Sequence, residues 1–270
     1  MDIKDLLGRE QVELDEARIS EYLQGQRVLI TGAGGSIGSE LCRQVLRYGP
    51  AKLILIEQAE NYLFEIEREL ATMAPDISRV SVIADICDAR RVDRVFETHH
   101  PAVVFHAAAH KHVPMMELNV GEAIKNNIFG TKTVADAAKK HGVKRFVMIS
   151  TDKAVNPTSV MGCTKRVAEM YIQQLRQATA TQFMTVRFGN VLGSSGSVVP
   201  IFAKQIAAGG PVTVTDPAMT RYFMTIPEAT QLVLQAGVIG SDRRRIALDL
   251  ERSSCWIWAS RSRSSIWPGR

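Results

Sequence analysis

A chain of 270 residues, 46% hydrophobic and 23% charged, can bury a full core; this excludes disordered and fibrous classes and fits one α/β domain with a smaller lobe. The formal net charge of +5 does not indicate a nucleic-acid binder, because residues 243–270 hold seven arginines against Asp249 and Glu251 and account for the whole excess. No run approaches the roughly 18 apolar residues of a membrane span, and the scattered Cys42, Cys87, Cys163 and Cys255 suggest neither a disulfide framework nor a metal site.

Residues 1–24 read as a lead-in with one weak helix, Asp15–Leu23; Asp2, Lys4 and Asp5 exclude a signal peptide, so a cytoplasmic chain is expected. Short β-branched runs then alternate with helical patterns. Arg27–Thr31, Leu53–Glu57, Val80–Ala84, Val103–Ala107, Phe146–Ser150 and Met184–Phe188 are the predicted strands. Such alternation predicts a doubly wound parallel (Rossmann) sheet over residues 25–188. Beyond Phe188 come a Gly/Ser loop (Gly189–Gly196), a helix near Pro200–Ala208, a short strand Val212–Val214 and a helix from Pro227 to about Ile239. Residues 189–245 are therefore expected to form a small substrate lobe.

Thr31-Gly32-Ala33-Gly34-Gly35-Ser36-Ile37-Gly38 follows the first strand and opens a helix. Glycines there let the backbone approach a pyrophosphate, whose charge meets the N–H groups of the helix start; a Gly-rich turn without a ligand is the plainer alternative. Gly32, Gly35, Ser36, Ile37 and Gly38 are the candidate contacts. Glu57 ends the second strand 19 residues after Gly38, near the ~20 expected for an acid that bonds the adenosine ribose. A carboxylate there repels a 2′-phosphate, which favours NAD over NADP. After the third strand, Asp85 and Ile86 are placed to touch adenine, or Asp85 serves as a helix-start cap. The fourth strand runs into His106-Ala107-Ala108-Ala109-His110-Lys111-His112. Small Ala107, Ala108 and Ala109 let a cofactor lie across the strand end. The three histidines lack carboxylate or cysteine companions and are not read as metal ligands; Lys111 is a candidate for a phosphate or substrate oxygen, or a solvated lysine.

The glycine string, the run His106–Glu117, Lys125-Asn126-Asn127-Ile128-Phe129-Gly130-Thr131, and Ser150-Thr151-Asp152-Lys153 with Met161-Gly162-Cys163-Thr164-Lys165 resemble the extended short-chain dehydrogenase/reductases. More narrowly they resemble bacterial polysaccharide-biosynthesis nucleotide-sugar 4,6-dehydratases of the UDP-N-acetylglucosamine type, over roughly residues 3–245. The resemblance implies the catalytic part of a form that carries N-terminal membrane helices, acting at the inner membrane face, and a homo-oligomer. It also implies NAD as cofactor, a UDP-sugar as substrate, and Asn127 among the cofactor contacts. The cycle would oxidise C4, remove the C5 proton, expel the C6 hydroxyl and return hydride to C6. Asp152 then matches the family's acid, Lys153 its base, Thr151 the hydroxyl that bonds the C4 oxygen, and Lys165 the ribose contact. Met161 stands where related enzymes carry a tyrosine and marks the large dehydratase subgroup. Asp152, Thr151 by relay, or water remain as acceptors of the C4 hydroxyl proton. Lys153 can act as a base only when neutral, and an Asp152–Lys153 ion pair is the competing arrangement. Arg187-Phe188-Gly189-Asn190-Val191 resembles a loop that cradles the sugar diphosphate, and Arg221-Tyr222-Phe223-Met224 a strand that meets the nucleotide. A nucleotide-sugar 4-epimerase and a catalytically impaired NAD-binding protein are the alternatives.

Residues 246–270 depart from this pattern, with Trp256, Trp258 and Trp267 among alternating Ser and Arg and no strand or helix period. Codons that encode Ser254–Gly269 can also read, one base earlier, as VLLDMGEPVKIVDLAR, which resembles the family's next strand and helix. A frameshift between about Arg245 and Ser254, leaving the lobe truncated, is therefore expected.

Overall fold

The computed structural model describes residues 15–177, 179–194, 196–214, 221–239, 255–256 and 261–262. Six parallel strands form its centre: β1 (Arg27–Thr31), β2 (Lys52–Glu57), β3 (Ser78–Ile83), β4 (Val103–His106), β5 (Arg145–Thr151) and β6 (Gln182–Phe188). They lie in the order β3-β2-β1-β4-β5-β6. The order reverses between β1 and β4, which pair from Val28↔Val103 to Thr31↔His106. In open α/β sheets the ligand crevice opens at that reversal, beyond the strand carboxyl ends.

Both sheet faces are covered, so the strands are apolar almost throughout. Val28, Ile30, Leu53, Leu55, Phe105 and Val147 point to one layer, with Leu41 and Val45 of α2 (Ser36–Leu46). Their neighbours Leu29, Ile54, Ile56, Val104, Phe146 and Met148 point to the other. That layer is closed by α4 (Ala89–His99), α7 (Thr131–Lys140) and α8 (Val160–Gln177), while α3 (Glu60–Met73) follows β2. Between β4 and α7 the chain forms α5 (Val113–Leu118), α6 (Val120–Ile124) and a π-helical turn, Lys125–Gly130.

Residues 15–23 are more than a lead-in. Helix α1 (Glu16–Leu23), capped by Asp15, buries Ile19, Tyr22 and Leu23 in the first layer. The Tyr22 hydroxyl donates to the Leu234 carbonyl of α10 (Ile226–Ile239) at 2.7 Å, and the Arg145 guanidinium sits 4.7 Å from the centre of the Tyr22 ring.

Beyond β6, strand β7 (Asn190–Leu192) and helix α9 (Val198–Ala207) are followed by β8 (Arg221–Thr225), which pairs in parallel with β7. Val212–Val214 is not the predicted strand. Thr213 N–H donates to the Gln205 side chain at 3.2 Å, so this stretch is tied to a helix side chain in place of a ladder. The tail, read as lacking strands, contributes two short ones: β9 (Cys255–Trp256) beside β6, and β10 (Arg261–Ser262) antiparallel to β8. The rest of residues 246–270 lies outside the described residues. Among the described residues no helix is long and apolar enough to cross a membrane.

Candidate functional site

A cleft of about 200 Å³ opens at the reversal of strand order. Its floor is Gly32, Gly35, Ala107, Ala108 and Ala109, and its walls include Glu57, Ile86, Tyr62 and Asn126. The small floor residues are required by distance: a Cβ on Gly32, whose φ is +65°, would stand 2.8 Å from the backbone of Ala108. Gly35 occupies the N-cap position of α2 and brings no side chain there. Backbone N–H groups of that first turn are thus presented to the cleft, the arrangement that suits a pyrophosphate. Gly38 has a different task. Its Cβ would lie 1.9 Å from the Gly32 carbonyl oxygen, so this glycine lets α2 press on the loop.

Glu57 sits in the cleft wall with its carboxylate pinned by three backbone donors. Gly34 N–H reaches Oε2 at 3.1 Å, while Gln58 and Ala59 N–H reach Oε1 at 2.9 and 3.1 Å. A fixed negative group therefore stands beside the glycine loop, where the sequence placed it. Ser36, Ile37 and Gly38 form the first turn of α2 directly after Gly35. Asp85 accepts from Cys87 N–H at 2.8 Å and lies 3.8 Å from Lys125 Nζ. Asp88 caps α4 in place of Asp85, accepting from Arg91 N–H at 3.0 Å. Asn127 is fully buried, and its neighbour Asn126 lines the cleft.

Asn127 is a lock between elements. Its Oδ1 accepts from His110 N–H at 2.8 Å, and its Nδ2 donates to the His110 carbonyl at 3.0 Å and to Thr164 Oγ1 of α8 at 3.1 Å. His106, also fully buried, extends the network: Nδ1 lies 2.7 Å from Thr31 Oγ1 and Nε2 lies 2.9 Å from Thr131 Oγ1. Thr131 spends its proton on the Asn127 carbonyl at 2.8 Å, so it accepts from His106 Nε2–H and leaves Nδ1 to accept from Thr31. Burial, with Lys165 nearby, lowers the His106 pKa to about 3 and keeps the ring neutral. This histidine joins β1, β4 and α7. Among the described residues no group of three or more His, Cys, Asp or Glu can hold a metal.

Strand β5 delivers Thr151, Asp152 and Lys153 at its carboxyl end, the last two in a 3₁₀ turn over Asp152–Ala154. Asp152 and Lys153 meet as an ion pair, the competing arrangement considered for them. Lys153 Nζ lies 3.1 Å from Asp152 Oδ1 and donates at 3.0 Å to Asn190 Oδ1 from β7. The Thr151 hydroxyl donates to the same Asp152 oxygen at 2.9 Å. Both charged side chains are about one-third exposed, at 34% and 33%. A pair so exposed contributes about 0–1 kcal/mol, so a ligand can part it at little cost. Helix α8 comes up against this turn through Gly162, whose Cβ would stand 2.3 Å from the Lys153 carbonyl oxygen. Met161 is buried against Met116 and Ala123 of α5 and α6. Lys165 is buried too, its Nζ donating to the Ile149 carbonyl at 2.7 Å, and desolvation lowers its pKa to about 8 against the pull of Glu169.

The lobe residues divide. Asn190 is at the turn, held by Lys153. Arg187 is not placed to cradle a diphosphate: its side chain is buried in an ion pair with Glu169. Lys111 is exposed on the segment leaving the cleft, although desolvation of its amine lowers its pKa. The adjacent His112 ring packs against Gly196, where a Cβ would come within 2.5 Å of it. Of Arg221 only the backbone is described, opening β8. Sequence reasoning missed Tyr62, Ala84 and Asn126 as cleft residues and Glu169 as the partner of Arg187. The Glu169–Arg187 pair joins α8 to β6, and no local spacing signals it.

Residues 28–256 match the family described as polysaccharide biosynthesis protein. The chain belongs to that family. Within it, the chain is 57% identical over 252 residues to the capsular polysaccharide biosynthesis protein CapD of Staphylococcus aureus, covering 93% of this chain and 42% of CapD. It is 36% identical over 215 residues to a UDP-N-acetylglucosamine 4,6-dehydratase (inverting) of Campylobacter jejuni, covering 78% of this chain and 62% of that enzyme. The chain thus spans less than two thirds of either relative. In fold it resembles the dTDP-glucose 4,6-dehydratase DesIV of Streptomyces venezuelae, solved with NAD bound, with a TM-score of 0.69 at 23% identity over 86% of this chain and 84% of that one.

Proposed function

We propose that this polysaccharide-biosynthesis protein catalyses the NAD-dependent 4,6-dehydration of a UDP-N-acetylhexosamine, with UDP-N-acetylglucosamine as the preferred substrate. The observation that carries the reading is the Thr151–Asp152–Lys153 cluster at the end of β5, an acid, a base and a relay hydroxyl within hydrogen-bond reach of one another. Oxidation at C4 alone needs no such pair; expelling the C6 hydroxyl does. Bound in the cleft, NAD⁺ supplies the hydride acceptor and donor of the cycle. The fit rests on Gly32 and Gly35 for the pyrophosphate, the pinned Glu57 carboxylate for the ribose, and Ala107–Ala109 under the rings.

The residues share the proton work as follows. Thr151 passes the C4 hydroxyl proton to Asp152, along the hydrogen bond the two already make. Asp152 is thereby charged with the proton that it gives to the departing C6 hydroxyl, which leaves as water. Lys153, which gives its ammonium proton to solvent as substrate parts it from Asp152, takes the C5 proton and later returns one to the same carbon. Lys165 bonds the nicotinamide ribose. Met161, without an exchangeable proton, has a packing role beneath them.

Incubating the protein with UDP-N-acetylglucosamine in deuterated water and following C5 and C6 by NMR tests the reading. Deuterium at C5 with loss of the C6 oxygen is expected; inversion at C4 without that loss would instead indicate epimerisation, and no change a binding role. Gly162→Ala is a second test. The added methyl must displace the Lys153 carbonyl, so turnover should fall about 10²-fold, the cost of roughly 1 Å of misplacement. Circular dichroism of the variant should match the parent.

A further inference from the structure

One face of α8 holds the end of β5 at two successive residues. Lys165 and Glu169 lie one turn apart on that face, buried at 5% and 4% exposure. Lys165 bonds the Ile149 carbonyl, and Glu169 Oε1 accepts from the hydroxyl of the next residue, Ser150, at 2.6 Å. The same carboxylate takes the fork of Arg187 from β6, with Nε on Oε1 at 2.7 Å and Nη2 on Oε2. Arg166 Nη1 adds a contact to Oε2 at 3.2 Å. Four donors therefore converge on one buried carboxylate. The residue it holds, Ser150, immediately precedes Thr151, Asp152 and Lys153.

The charge of this group matters as much as its bonds. Lys165 faces Glu169 on its own helix and the neutral His106 from β4, and Glu169 in turn carries Arg187 from β6 and Arg166 from α8. Desolvation drives its proton off and Glu169 opposes that, while the neutral His106 offers no attraction.

We propose that Glu169 is a positioning residue for the reaction proposed above: its carboxylate latches the strand end that presents Thr151, Asp152 and Lys153, and supplies the counter-charge that keeps Lys165 an ammonium. The inference rests on the dehydratase reading for its purpose but not for its test. Because Lys165 titrates near pH 8, its contribution as a cation is full below that pH and is lost as pH rises through it. Glu169→Gln keeps the shape and the bond from Ser150 but deletes the charge, so the loss should move to lower pH.

The experiment is an NMR titration of the full chain labelled with ¹³Cε-lysine, with the Lys165 signal assigned through Lys165→Arg. The parent midpoint is expected near pH 8, and the Glu169→Gln midpoint about one unit lower or more. An unchanged midpoint in a variant with the parent's circular dichroism overturns the proposal. Should Glu169→Gln fail to fold, Glu169→Asp decides: the charge withdraws by one methylene, so a smaller downward shift is expected together with a lower kcat at unchanged KM. A Glu169→Asp protein with parental midpoint and parental kcat overturns it equally. The titration needs no turnover, so absence of dehydration in the parent would sink the functional reading and leave the counter-charge to be judged on its own midpoint.

Discussion

Lys153→Met is expected to lower turnover by about 10²- to 10⁴-fold, the range that a positioned acid or base contributes, while NAD affinity stays within about twofold. Methionine matches the length of the lysine stem and cannot accept a proton. The side chain lies at the turn, bonded to Asp152 and Asn190, and is not among the cleft-lining residues, so the cofactor should not register the change. Stability should hold as well, because the ion pair lost is an exposed one. Calorimetry of NAD binding and NMR of the product in deuterated water check the two halves. A variant that kept more than about a tenth of parental turnover would remove Lys153 from the role of base.

Gly38→Ala should have the largest effect on the fold. Its methyl would stand 1.9 Å from the Gly32 carbonyl oxygen, 2.7 Å from the Gly32 carbonyl carbon and 3.0 Å from Ala33 Cα. All three are backbone atoms of the glycine loop, so no side chain can swing aside. Overpacking usually costs about 1–3 kcal/mol, and relief here requires the whole start of α2 to lift, which puts the cost at or above the upper end. For a chain of this size that corresponds to a fall in Tm of roughly 6 °C or more. Dinucleotide binding should go with it, since the lifted helix no longer presents its N–H groups. Gly121→Ala is the control: it lies in α6 with nothing within 4 Å of the new methyl. There the expected outcome is a gain of about 0.4–1 kcal/mol from reduced freedom of the unfolded chain. Thermal denaturation of both variants, with and without NAD, compares the predictions directly.

The sheet was legible because parallel strands buried on both faces are continuous apolar runs. Arg27–Thr31 matched to the residue, and the other five shifted only at their ends. Strand ends were less legible because the last bond of a ladder depends on the neighbour: Thr151 extends β5 by pairing with Phe188 of β6. The glycine loop and Glu57 could be read from spacing, which is a local property. What could not be read was the choice of partner between distant segments. Arg187 suits a phosphate by its chemistry, yet Glu169, 18 residues away in sequence, claims it inside the fold. Asn127 and Asn126 are alike in chemistry, and only helix phase decides which faces the cleft and which locks to Thr164. Val212–Val214 has strand composition, but the neighbouring Gln205 offers its amide to Thr213 first.

The π turn at Lys125–Gly130 sets that phase, and it makes the segment sensitive to length more than to identity. A π turn holds one residue more than an α turn, so deleting any one residue from it would let the helix close up regularly. Each residue of an α-helix is worth about 100° of rotation, and α6 would swing by that much relative to α7. Asn126 would leave the cleft wall and Asn127 would leave Thr164 in the same movement. Phe129, by contrast, is 56% exposed within the turn, and its side chain can be exchanged without moving either asparagine. Single-residue deletions between Lys125 and Gly130 should therefore disrupt the cleft wall and the tie to α8 together, where outward-facing substitutions in the same six residues are tolerated.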